Sequence, residues 1–97
     1  MLERVKFPNL EILDLNSNQI SDINVLSKVN FNSLKNLNLS KNKISDIKVL
    51  QKVIFPNLKK LSLKENEITS INILNKVKLP QLEKIYLDLF IYLFMFI

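Results

Sequence analysis

The segment LDLNSNQISDI, residues 13–23, returns as LNLSKNKISDI at 37–47 and as LSLKENEITSI at 61–71, each time after 24 residues. A fixed interval restricts a fold severely: segments with one pattern take one structure, and each buries its apolar face against the next. On this period the apolar residues fall into columns. Phe7, Phe31, Phe55 and Leu79 form one, and Leu10, Leu34, Leu58 and Leu82 the next. Leu13, Leu37, Leu61 and Ile85 follow, then Leu15, Leu39, Leu63 and Leu87. Ile20, Ile23, Leu26 and Val29 begin four more, while Asn18, Asn42 and Asn66 make an invariant polar column.

The spacing inside a copy changes character partway. Leu13 and Leu15 flank Asp14, the alternation of a half-buried strand whose leucines face inward. From Ile23 the apolar positions run 23, 26 and 29, with Val25 added, which suits a short helix or 3-10 turns. Ser21 and Ser45 are expected to cap these segments, with Asp22 and Asp46 in the first turn and Lys28 and Lys52 in the last. Copy three keeps Thr69 and Lys76 and has Ser70 for the aspartate. Pro8, Pro56 and Pro80 are expected to stop the helix and turn the chain into the next strand, with Asn32 in that role in copy two. A strand, a turn and a short helix repeated in one direction stack their strands in parallel. A lone copy cannot fold, because the backbone entropy of ordering it exceeds what its apolar side chains return. Neighbour contacts supply the difference, so the inward columns are kept and the outward positions drift.

Composition removes whole classes of function. At 97 residues the chain is at most one domain. It has no glycine, so no phosphate-cradling loop of the Walker or dinucleotide kind can be written. It has no cysteine or histidine, which removes disulfides, a thiol nucleophile and ordinary zinc or copper sites. No cofactor, metal or small-molecule substrate is expected. Lack of disulfides and the charged N-terminus MLERVKF fit a cytoplasmic protein, with the nucleus as the alternative.

The pattern LxxLxLxxNxIxxI occurs at residues 10–23, 34–47 and 58–71, and in this the chain closely resembles leucine-rich repeat proteins. The repeat length and the ending SDIxVLxKVxFPNL are similar to the intracellular type found in regulatory subunits of protein phosphatase 1 and in axonemal and splicing repeat proteins. The resemblance implies an α/β fold: a right-handed solenoid with a parallel β-sheet on its concave face and short helical or 3-10 segments on the convex side. It also implies a scaffold that binds another protein on the sheet. The alternative is a recognition segment of a larger enzyme, or of a phosphatase or kinase regulatory subunit.

Outward strand positions form ladders that are the candidate contact surface. One is Asn36, Lys60 and Lys84, headed by Ile12; a second is Asp14, Asn38, Ser62 and Tyr86; a third is Asn16, Ser40, Lys64 and Asp88. A merely solvated sheet face is the plainer account of any single member. Tyr86 is the best anchor, being aromatic and amphipathic. Charge shifts from Asp14 at one end to Lys60, Lys64 and Lys84 at the other, which would suit an acidic patch on a partner. Asn18, Asn42 and Asn66 read as structural, since a carboxamide offers donor and acceptor to backbone groups left unpaired where the chain turns after each strand.

The net charge of +5 raises nucleic acid as a rival partner. Lys35, Lys41, Lys43, Lys48 and Lys59 are spread around the coil and interleaved with Glu65 and Glu67, so solvated lysines are the preferred reading. Ser40 near Lys41 or Lys64 could imitate a serine–lysine pair, but no glycine oxyanion turn or histidine base accompanies it. Asp14 and Asp88 lie in different copies, so no enzyme is expected.

Both ends break the pattern. Met1, Leu2, Arg4 and Val5 fall in the columns of Val25, Leu26, Lys28 and Val29, as if the chain began inside a repeat. Residues 1–88 are read as repeats and 89–97, LFIYLFMFI, as an apolar non-repeat tail. The tail falls short of the roughly 20 residues of a membrane helix, so a membrane partner is expected only if it is a truncated span. It could also plug the last coil; read-through from a wrong exon or frame is preferred, because a cap presents a polar outer face. A fragment of a longer repeat protein is therefore expected, prone to associate through residues 89–97.

Overall fold

The computed structural model describes residues 7–88. The four strands are β1 (Ile12–Asp14), β2 (Asn36–Asn38), β3 (Lys60–Ser62) and β4 (Lys84–Tyr86). They form one parallel sheet in the order β1-β2-β3-β4. Leu13 pairs with Leu37, Leu37 with Leu61 and Leu61 with Ile85, so each copy completes one circuit and lands beside its predecessor. The inward leucines of neighbouring strands are thereby stacked along the axis of a right-handed solenoid. The fit is tightest in the middle, where Leu34, Leu37, Leu39, Leu58, Leu61 and Leu63 are buried. In the first described copy Leu10, Leu13 and Leu15 are only partly covered.

The return path of each circuit is a 3-10 helix: Asn24–Ser27, Lys48–Gln51 and Asn72–Lys76. At three residues per turn, side chains three apart eclipse, so Ile23, Leu26 and Val29 share one face and are all buried. The helices start later than the serine-cap reading expects. Their N-cap residues are Ile23, Ile47 and Ile71, none with a side-chain cap bond. Asp22 and Asp46, expected inside the first turn, instead precede it: Asp22 Oδ1 accepts from the Asn24 amide at 2.8 Å and Asp46 Oδ1 from the Lys48 amide at 2.9 Å. An aspartate two residues ahead reaches that amide without strain, the ordinary Asx geometry. Lys28 and Lys52 lie just past the helix as C-cap residues.

The prolines also act differently from expectation. The helices end at Ser27, Gln51 and Lys76, several residues before the next turn former. Pro8, Asn32, Pro56 and Pro80 occupy the second place of four-residue turns, closed by Leu10, Leu34, Leu58 and Leu82 amides donating to Phe7, Phe31, Phe55 and Leu79 carbonyls at 3.0–3.2 Å. Proline's fixed φ suits that place. The aromatic residues opening these turns form a spine: Phe7 and Phe31 rings lie 6.4 Å apart, as do Phe31 and Phe55. Phe31 and Phe55 are buried, whereas Phe7, at the outer end, is 48% exposed.

Where each strand gives way to the corner, Ser17, Lys41 and Glu65 adopt φ of 61°, 56° and 55°. This left-handed region usually takes glycine, which the chain does not contain. Corner amides are held by the next copy: Ser17 donates to the Ser40 carbonyl at 3.0 Å and Lys41 to the Lys64 carbonyl at 2.9 Å. Residues 1–6 and 89–97, with the readings attached to them, lie outside the described residues.

Candidate functional site: the concave sheet face

Immediately behind the sheet, the asparagine column ties the circuits together. The buried Asn42 donates through Nδ2 to the carbonyls of Leu39 and Ser40 in its own copy, both at 3.0 Å, and of Leu15 in the previous one at 3.1 Å. Its Oδ1 accepts from the Ile20 amide at 3.0 Å. Asn66 repeats the arrangement on Leu39, Leu63, Lys64 and Ile44. Asn18 is exposed and bonds within its own copy, to the Leu15 and Asn16 carbonyls.

The three outward ladders run in register across the strands. In the first, Ile12 is 63% exposed, Lys60 and Lys84 are exposed and Asn36 is half-buried. Ile12 pairs with Asn36, Asn36 with Lys60 and Lys60 with Lys84. In the second, Asp14 is exposed, Asn38 and Ser62 are half-buried, and Tyr86 is 37% exposed. Two of these side chains already hold the backbone: Asp14 Oδ1 accepts from the Asn16 amide at 2.9 Å and Asn38 Oδ1 from the Ser40 amide at 3.0 Å. They are therefore steadied at the C-terminal ends of their strands.

The third ladder is less uniform than its sequence suggests. Asn16 and Lys64 are exposed, but Ser40, expected to face solvent, is only 8% exposed. Its hydroxyl hydrogen-bonds that of Ser62, and its carbonyl receives both Asn42 Nδ2 and the Ser17 amide. Ser40 is corrected to a packing residue. At the far end Asp88 accepts the Glu65 amide through Oδ1 at 3.0 Å and Oδ2 at 3.2 Å. It thus serves the amide that the following backbone carbonyl serves in the two earlier copies. Lys64 leans toward β4, with Nζ 5.8 Å from the centre of the Tyr86 ring, within reach of a cation–π contact.

A second polar column escaped the sequence reading. Ser33 Oγ donates to the Pro8 carbonyl and Asn57 Nδ2 to the Asn32 carbonyl, each at 2.6 Å, linking successive turns ahead of the strands. The signal was present in Asn9, Ser33, Asn57 and Gln81, polar in every copy just after the turn former. Among the described residues no group of three or more His, Cys, Asp or Glu is placed to hold a metal ion. Between the second and third 3-10 helices an open groove of about 450 Å³ is lined by Ser45, Asp46, Lys48, Thr69 and Ser70.

The family model described as Leucine Rich repeats (2 copies) matches residues 8–52. Among solved structures, internalin C2 from Listeria monocytogenes superposes with a TM-score of 0.54 at 30% sequence identity, over 84% of this chain and 43% of that one. The fold is a leucine-rich repeat solenoid. The chain spans less than half the length of the internalin, and the search of curated proteins gave no match. Leucine-rich repeat proteins generally mediate contacts between proteins and are typically not enzymes. Repeat stacking of this kind creates an extended concave surface, which here carries the three ladders.

Proposed function

We propose that this leucine-rich repeat chain is a protein–protein interaction scaffold that receives its partner on the concave face of β1–β4. One observation carries the reading. Ile12 and Tyr86, two large and exposed apolar side chains, stand on the same polar face at opposite corners of an in-register sheet. Apolar anchors set among polar groups are what a protein interface uses for affinity and orientation. The parallel sheet also fixes the backbone that carries the outward side chains before any partner arrives, which lowers the ordering cost of association. The finer kinship with phosphatase regulatory subunits is supported by the SDIxVLxKVxFPNL ending alone.

Random peptides of about twelve residues, displayed on phage and selected on the full chain, test the reading. Selected peptides should lose binding to an Asn36→Arg, Ser62→Arg double variant and keep it for Lys52→Glu on the convex side. Peptides that ignore the sheet substitutions and lose the convex variant would place the interface elsewhere.

A further inference from the structure

The sheet face is not uniform in charge, and its cations are gathered on two strands. Lys60 and Lys84 are directly opposite each other in the β3–β4 register. Like charges so placed oppose folding. Lys64, two positions past the outward Ser62 of β3, reaches over Tyr86 on β4 and adds a third cation to the same region. Among the described residues none of the three is paired with a carboxylate. One lysine–glutamate pair does bridge copies in the adjoining column, where Lys35 Nζ is 3.0 Å from Glu11 Oε1. The nearby Asp88 is engaged by the Glu65 amide.

Resting on the concave-face reading, we propose that β3 and β4 form a docking site for an acidic polypeptide segment. The segment's carboxylates meet Lys60, Lys64 and Lys84, and the Tyr86 ring packs on its aliphatic or aromatic side chains. Complementary charge relieves the Lys60–Lys84 repulsion, so occupant and fold stabilise each other. A polynucleotide fits less well. It needs a cationic track with successive stacking platforms, whereas this face offers a single aromatic ring among the described residues and turns acidic at Asp14.

Fluorescence anisotropy with three labelled probes on the full chain tests this: a glutamate–alanine peptide of about twelve residues, its lysine–alanine counterpart, and an oligouridine of similar length. The glutamate peptide should bind, and weaken steeply as salt rises from about 0.05 to 0.3 M. Binding should fall about tenfold or more in Lys60→Gln, Lys84→Gln, the scale of one lost charge-assisted contact. That variant's melting temperature should equal or exceed the parent's, which separates lost docking from lost folding. Lys28→Gln, Lys52→Gln removes the same charge from the convex side and should retain binding. Equal loss in the convex variant, no preference over the lysine peptide, or tighter binding of oligouridine through the same lysines would each overturn the proposal. Display-selected peptides that depend on Asn36 and Ser62 but not on Lys60 and Lys84 would sink it while leaving the concave interface standing. Peptides indifferent to both sets would sink both.

Discussion

Asn42 divides one carboxamide between two copies, and its replacement shows what the corner requires. Asn42→Leu fills a similar volume but orphans the Ile20 amide and takes one of two donors from each of the Leu15, Leu39 and Ser40 carbonyls, which keep Asn18 Nδ2, Asn66 Nδ2 and the Ser17 amide. A loss of about 1–3 kcal/mol is expected, read as a lower urea midpoint. Asn18→Leu should cost less, since Asn18 is exposed and serves only its own copy. Lys41 points the other way. Held at φ 56°, it carries a left-handed penalty of about 1–2 kcal/mol that asparagine tolerates better. Lys41→Asn should therefore raise the thermal midpoint, by up to about 1 kcal/mol of stability. The asparagine column was legible because it is unchanged in the three full copies. The burial of Ser40 was not, because its ladder mates Asn16, Lys64 and Asp88 are polar, and only the Ser62 hydroxyl beside it shows that the position is closed.

At the scale of elements, the 3-10 helices show what periodicity tells and what it omits. A spacing of three identifies Ile23, Leu26 and Val29 as the inner face, and they are buried. It says nothing about which preceding side chain satisfies the first free amide. The serine two places before the apolar run is the natural expectation, but a helix that begins at Asn24 puts Asp22, not Ser21, within reach. Copy three has Ser70 where Asp22 and Asp46 stand. Ser70→Asp should supply the Asn72 amide with a carboxylate acceptor and stabilise by about 0.5–1 kcal/mol, whereas Asp46→Ala should cost about 0.5–2 kcal/mol; calorimetric midpoints read both. The strands were clearer, because two leucines around one polar residue admit one face and fix the register.

Over the whole molecule, stability is a property of neighbours. Phe31 stacks between Phe7 and Phe55 and is fully buried, so Phe31→Ala opens a cavity shared by three circuits. The expected loss, about 3–5 kcal/mol, is a large part of what a chain of this size has, and far-ultraviolet dichroism should show a marked fall in the denaturant midpoint. The architecture was legible because burial repeats with the period. The contact surface was only partly so, because outward residues obey no such rule: Ile12, Asn36, Lys60 and Lys84 share one ladder and little chemistry.

The consecutive strand order has a mechanical corollary. With β1 beside β2, β2 beside β3 and β3 beside β4, no circuit among the described residues is clamped by one farther away. Drawn out by its two ends, the molecule should behave as a spring that surrenders one winding at a time. Each winding frees about 80 Å of contour at about 3.4 Å per residue, and a force trace that instead broke in a single event would show the windings acting as one block.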